Sequence, residues 1–289
     1  MSSPKARLER RPFNEQVLQS GQTLHTHAES IMRVITEEIA ALRGHLEFTR
    51  VLTWGAFNKT WWRIVRRITL GDAARDDEQL THDLNQLRAR ANLSYLVPKN
   101  RQQRQRFLAA IRGYLDRAEP GSLAGMAAHT STTAKTVPEQ QFPQWLFAFD
   151  SGSWATFRAL SLLAVDQTTT ATARAEAQAS FPDMPLLRAS VLESVRLWPT
   201  TPLILRDTTE TTTWRNGELK TGTSMLIFTP FFHRDDQTIF QAKYVPPSAM
   251  SAKSITIPLA ILDFSPIRLI SFLSVTLISS LVPFGNDLN

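Results

Sequence analysis

Leu192-Glu193-Ser194-Val195-Arg196-Leu197-Trp198-Pro199 is the stretch on which the reading of this chain turns. Glu193 and Arg196 stand three residues apart, so on a helix their opposite charges share one face. An exposed pair at that spacing contributes only about 0.2–0.5 kcal/mol. The chain has a second copy, Glu47-Phe48-Thr49-Arg50, which reads as a surface ion pair. The copy at 193 lies among Leu186, Leu187, Val191, Leu192, Val195 and Leu197, so burial of the pair is expected. A buried pair persists only where its remaining hydrogen-bonding capacity is met.

Outward from that stretch, the chain reads as helices followed by a small sheet. Towards the N-terminus, Ala28, Ile31, Ile35, Ile39 and Leu42 recur at three- and four-residue steps, with Gly44 expected to stop the run. Residues 54–68 read as a helix rich in tryptophan and arginine, broken at Gly71-Asp72. Leu80, Leu84, Leu87 and Ala91 mark a third helix, with Asp76 or Asp77 as N-cap. Phe107, Leu108, Ile111, Tyr114 and Leu115 mark a fourth, stopped by Glu119-Pro120-Gly121. Residues 122–140 read as a polar surface loop. Residues 142–165 form a helix apolar on nearly all sides, as in a protein interior or a membrane. An Ala-rich helix to Ser180 precedes the helix of Glu193, which Pro185 begins. Beyond Pro202, residues 203–205, 211–214 and 225–228 read as strands, and Asn216-Gly217 as a two-residue hairpin turn. The fold class is therefore mainly α with a small β portion.

Composition narrows the chemistry. With 289 residues and a hydrophobic fraction of 43%, the chain has room for an ordinary globular core. A complete absence of cysteine excludes disulfides, thiolate metal ligands and cysteine nucleophiles. The net charge of +6 suits an acidic partner. The arginines are scattered along helices with no groove-reading motif, so no nucleic acid is expected. No signal peptide is evident at the N-terminus, and residues 269–284 fall short of the roughly 20 apolar residues of a spanning helix. A cytoplasmic location is expected.

The run from Glu193 to Pro202, then Leu205-Arg206-Asp207, resembles the K helix and following strand of the cytochrome P450 family. Phe147-Ala148-Phe149-Asp150-Ser151-Gly152-Ser153-Trp154-Ala155-Thr156-Phe157-Arg158 is similar to that family's I helix. The Asn216-Gly217 hairpin, Gly222-Thr223 and Phe232-His233-Arg234-Asp235-Asp236 resemble the elements that follow, in the family's order. The resemblance covers residues 45–250 and implies an incomplete cytochrome P450-like fold. It implies haem as cofactor and oxygen insertion into a small apolar organic substrate. The implied redox partner is an acidic electron-transfer protein of ferredoxin or reductase type. It makes Glu193 and Arg196 the ion pair that locks the haem-side core. Thr156 becomes the oxygen-activation threonine, with Ala155 in place of the usual preceding acid, so that a proton relay falls to water or to Asp150. Read by itself, Thr156 is a helical threonine whose hydroxyl bonds back to its own helix. Arg206 and His233 fall on the haem-propionate side; read by themselves, Arg206 is a strand-end surface arginine and His233 a loop histidine. Trp62 and Arg66 share a Trp-x-x-x-Arg spacing but read as core and face of a different helix.

The chain also departs from the family. No cysteine is present to act as axial ligand, so there are no metal-ligating residues to nominate. Val282-Pro283-Phe284-Gly285 resembles the start of the haem loop, and Tyr244-Val245-Pro246-Pro247 a family motif that has lost its Glu. Residues 251–289 form an atypical Ser/Ile/Leu-rich tail, set apart from the P450-like part at 1–250. The expectation is a truncated, inactive version of a haem-dependent monooxygenase. The alternative is a non-catalytic helical protein that binds an apolar ligand or haem.

Overall fold

The computed structural model describes residues 4–22, 24–93, 96–179, 184–235 and 257–258. Helices α1 (Pro4–Leu18), α2 (Ala28–Thr49), α3 (Trp54–Leu70), α4 (Glu78–Asn92), α5 (Arg101–Arg117), α6 (Leu123–Ala128), α7 (Phe142–Val165), α8 (Gln167–Ala179) and α9 (Pro185–Leu197) make the body. Between α2 and α3 lies a short strand, β1 (Val51–Leu52). After α9 come β2 (Leu203–Asp207), β3 (Thr212–Trp214), β4 (Gly217–Leu219), β5 (Ser224–Phe228) and α10 (Thr229–His233). β6 (Ile257–Pro258) pairs antiparallel with β1. The expected class, helical with a small β part, is the observed one.

The body is organised around α7. Phe142, Leu146, Phe149, Phe157 and Leu160 are buried along it, together with Ser153 and Thr156. α3 packs on one side and α9 on another. Side chains from both neighbours donate to α7 carbonyls. Trp61 Nε1 of α3 reaches the Phe149 oxygen at 2.9 Å, and Ser194 Oγ of α9 reaches the Ala155 oxygen at 2.9 Å. The first bond satisfies an indole N–H that burial would otherwise leave unpaired, whereas the Ser194 hydroxyl also lies 2.7 Å from the Val191 carbonyl of its own helix. α1 seals a third side: Phe13 stacks on Trp145, whose Nε1 donates to Asn14 Oδ1 at 2.9 Å.

Several boundaries differ from the sequence reading. Gly44 does not end α2, which runs on to Thr49 and closes at Arg50 in a left-handed conformation (φ 55°). An interior glycine costs a helix about 1 kcal/mol relative to alanine, and buried Leu42 and Leu46 on either side outweigh it. Within the expected loop at 122–140 lies α6, capped by Ser122 Oγ accepting from Gly125 N at 3.0 Å, with Leu123, Ala124 and Ala127 buried. So short a helix cannot display a period. At Asn216-Gly217 the hairpin is shifted by one residue: Trp214 pairs with Gly217, so Arg215-Asn216 makes the turn. Asp77 is the N-cap of α4, accepting from Leu80 N at 3.0 Å. Trp62 is core, as expected, but Arg66 is buried rather than on a solvated face. Its guanidinium donates to the carbonyls of Ala74 and Arg75 and to Thr81 Oγ1, and burial pulls its pKa down. At Gly71 (φ 104°) a Cβ would collide with the Glu119 carboxylate, which accepts from Asp72 N and Ala73 N. The expectations on 244–247 and 251–289, the haem-loop-like segment at 282–285 included, lie outside the described residues apart from 257–258.

Candidate functional site

α9 begins at Pro185 without a side-chain cap of its own. Glu176 of α8 takes that part instead, its two oxygens accepting from Leu186 N and Leu187 N, each at 2.9 Å. A carboxylate there also complements the positive end of the helix dipole. One face of α9 buries Leu187, Val191, Ser194 and Leu197. Glu193 and Arg196 sit beside that face. Arg196 Nε donates to Glu193 Oε2 at 2.7 Å and Nη2 to Oε1 at 2.5 Å, a two-pronged fork. A third donor, Nη1, reaches the His233 carbonyl at 2.6 Å and so ties α10 to α9. Arg234 adds a second tie by donating to the Leu197 carbonyl. The bond to Glu193 holds the Arg196 pKa up against the opposing pull of burial. The pair is less buried than the sequence implies: the Glu193 side chain is 45% exposed and that of Arg196 19%.

Thr156 is fully buried in α7, and its hydroxyl donates to the Gly152 carbonyl one turn back, at 2.7 Å. A Thr hydroxyl carries one proton, and here that proton is committed to the helix backbone. Asp150, the other group nominated for a proton relay, is paired with Arg88 of α4, whose guanidinium also lies 5.8 Å from the Phe147 ring centre. Arg206 is exposed on β2, donating to the carbonyl of Leu205 beside it. His233 ends α10; its ring Nδ1 is buried without a hydrogen-bond partner, and the same is true of Arg234 Nε. The structure therefore brings Glu193, Arg196 and His233 together, and leaves Arg206 exposed on β2.

Reasoning from sequence missed the role of Arg158. It appears there only as the last residue of the run likened to the I helix. In the fold its guanidinium lies over two indoles, 5.4 Å from Trp154 and 5.8 Å from Trp198, and Nη1 donates to the Trp198 carbonyl at 2.9 Å. Burial lowers its pKa. Trp54 of α3 stacks on Trp154 as well, with ring centres 4.0 Å apart. This group of rings and cation joins α3, α7 and the end of α9. An arginine on an otherwise uncharged helix, with tryptophans nearby in sequence, was the available signal. A cleft of about 490 Å³ lies elsewhere, lined by Gln16, Gln19, His27, Met126 and His129 among others, and none of the nominated residues reaches it.

Haem fits these residues poorly. No cysteine occurs in the 289 residues, and among the described residues no three His, Asp or Glu are grouped as metal ligands. Thr156 and Arg206 both spend donors on local backbone. Among the described residues no helix is long and apolar enough to cross a membrane.

Known proteins share this geometry. Residues 149–242, from the middle of α7 past α10, match the family model for cytochrome P450. The crystal structure of a cytochrome P450 (CYP102L1) is similar with a TM-score of 0.63 at 17% identity, over 96% of this chain and 71% of that one. A zebra fish cytochrome P450, in a structure with abiraterone, is similar with a TM-score of 0.62 at 14% identity, over 96% and 74%. No curated protein matches. The fold is that of a cytochrome P450, and within it residues 149–242 match the family model.

Proposed function

We propose that this chain derives from a haem-thiolate monooxygenase of apolar organic substrates and that, as the sequence stands, it does not carry out that reaction. The observation that carries the reading is the lack of any cysteine in a chain whose α7, α9 and β2 follow the family. A thiolate that pushes electron density onto iron is what favours O–O cleavage in this class. Thr156 agrees with the same reading, since its proton is held by Gly152. The Glu193–Arg196 fork is then a structural element: it fixes α10 against α9 through His233. Any redox partner of the inherited activity would be acidic, in keeping with the excess of six positive charges.

The test is spectroscopic. Purified chain, mixed with haem and reduced under carbon monoxide, should give no thiolate-type Soret band; its appearance would overturn the proposal. A second reading, a non-catalytic protein that holds haem through histidine, draws on the buried unpartnered Nδ1 of His233. Stoichiometric haem uptake lost in His233→Ala would favour it.

A further inference from the structure

Asparagine is a thermolabile residue, most of all where glycine follows it. Of the eight asparagines in this chain only Asn216 precedes a glycine. Arg215 and Asn216 make the turn between β3 and β4, with Trp214 opposite Gly217, Thr213 opposite Glu218 and Thr212 opposite Leu219. These three pairs form a two-stranded sheet of their own, and so short a hairpin is marginally stable. A two-residue hairpin turn matches the twist of its strands when one or both central residues have positive φ. Neither Arg215 nor Asn216 does, whereas Gly217 does (φ 146°). The end of the ribbon therefore opens readily. Among the described residues the Asn216 amide has no hydrogen-bond partner, and a Cβ at Gly217 would meet nothing within 4 Å. The other described asparagines are held. Asn14 Oδ1 accepts from Trp145 Nε1 at 2.9 Å and Asn100 Oδ1 from Gln103 N at 3.0 Å. Asn58 and Asn85 lie within α3 and α4, where the next backbone N–H is spent on the helix. Asn92 closes α4, and the N–H of Leu93 after it donates to the Ala89 carbonyl at 3.3 Å.

We infer that Asn216 is a self-modifying site, which loses its side-chain amide through a cyclic imide formed with Gly217. The main-chain nitrogen of Gly217 attacks Cγ of Asn216. A bond from that nitrogen to Cγ forms, the Cγ–Nδ2 bond breaks, and Nδ2 leaves as ammonia with the proton that the Gly217 nitrogen gives up. Water then opens the imide ring. Addition at Cγ leaves an aspartyl residue. Addition at the main-chain carbonyl leaves an isoaspartyl residue, whose backbone runs through Cβ. The sequence of steps consumes only water and transfers no electrons. Glycine permits the first step, because it has no Cβ to obstruct the nitrogen and its torsions are free to bring that nitrogen into line. The isoaspartyl product lengthens the main chain by one carbon in a turn built for two residues, so the pairing of Trp214 with Gly217 is lost. Either product places a new negative charge close to Glu218. The reactivity comes from the backbone on either side of the turn and calls for no second molecule other than water.

This inference goes beyond the reading of the chain as an inactive oxygenase and is independent of it, because its readout involves no haem. The full chain, incubated in neutral buffer, would be sampled over weeks and digested for mass spectrometry, with isoaspartate measured by an isoaspartyl methyltransferase and labelled methyl donor. Asn216 should convert roughly tenfold faster than Asn58, Asn85 or Asn92, and should give both products. Gly217→Ala should slow the conversion by about tenfold. That variant is a stringent one: a φ of 146° suits alanine badly, so it loosens the turn, and slower conversion in a looser turn isolates the effect at the nitrogen. If it fails a circular-dichroism check of folding, the comparison among asparagines of the unaltered chain decides alone. An Asn216 that lasts as long as the helical asparagines overturns the inference. So does aspartate without isoaspartate, which marks direct hydrolysis, and so does an unchanged rate in a folded Gly217→Ala.

Discussion

Two carboxylate–guanidinium centres in this molecule look alike on paper and differ in the fold. At α9, Arg196 forks onto a single carboxylate three residues away, and that carboxylate is nearly half exposed. Between α2, α3 and the turn after α3, Arg67 is 7% exposed and donates to three carboxylates, Asp72 at 2.6 Å, Glu38 at 2.9 Å and Glu37 at 2.5 Å. Burial pulls the Arg67 pKa down, but those bonds more than offset it and the net shift is upward. Glu38, 2% exposed, is shared with Arg75, which reaches it at 2.6 and 3.0 Å. The two centres teach that a recognisable motif and a structurally committed one are different things. A short spacing is visible in one dimension. A network whose members lie 29 and 37 residues apart exists only after folding.

Of the two, the α2–α3 centre should be the costlier to break. Glu38→Ala takes a buried carboxylate from two guanidiniums, Arg67 at 7% exposure and Arg75 at 34%, and should destabilise by about 3 kcal/mol. Urea unfolding would show this as a lower midpoint at unchanged slope; a loss under about 1 kcal/mol would erase the distinction between the centres.

The helical body should also be the more sensitive to pH. His25 is buried, its Nε2 bonded to the Val17 carbonyl at 2.9 Å and its Nδ1 accepting from His27 N at 3.1 Å, which the neutral ring alone satisfies. Burial lowers its pKa below the ordinary 6.5; the bond to Val17 opposes this and His27 adds to it. Burial lowers that of His27 too. The unfolded chain therefore binds more protons than the folded one once pH drops below about 6.5, and stability falls from there towards the folded-state values. His25→Gln should flatten the fall in Tm between about pH 7 and pH 5, leaving a remnant from His27. A Tm that rises on acidification would reverse the sign and remove His25 as the tie between the end of α1 and the start of α2.

Much of the body is legible in the sequence because its signals are local. The period of α2, the cap at Asp77, the proline at the first turn of α9 and the uniform apolarity of α7 all act within a few residues. What stays hidden depends on distance. α6 is too short for a period, and β1 finds its partner only at Ile257–Pro258. The burial of Arg66 depends on carbonyls from the following turn, which no pattern announces. At the site, the Glu193–Arg196 pair and its neighbourhood could be located because both residues lie on one helix. That Glu193 sits at the edge of the buried face, and that Arg206 turns back on its own strand, could not, because both depend on what packs alongside.

At α9 the effects should be smaller. Glu193→Ala removes one half-exposed carboxylate and should cost about 1 kcal/mol. Arg196→Ala should cost more, because it also frees the His233 carbonyl and loosens α10. Thermal unfolding of the two variants side by side would measure the difference. Equal losses would mean that the tie to α10 contributes nothing, and a loss near about 3 kcal/mol for Glu193→Ala would put this centre on a par with that of Glu38.

The smallest effect is expected at Thr156. Valine has nearly the same shape, and the hydroxyl it replaces donates only to Gly152, a carbonyl already placed to accept a helical bond. Losing such a bond without leaving a buried donor unpaired is close to neutral, so Thr156→Val should change stability by less than about 1 kcal/mol. Haem titration of the variant should match that of the parent chain, because a hydroxyl turned into its own helix has no proton to offer elsewhere. A marked change in haem binding or its spectrum on this substitution would show that the hydroxyl leaves Gly152 when a ligand is present. α7 would then keep part of the family's chemistry in addition to its shape, and the contrast between a committed body and a merely recognisable α9 would have to be redrawn.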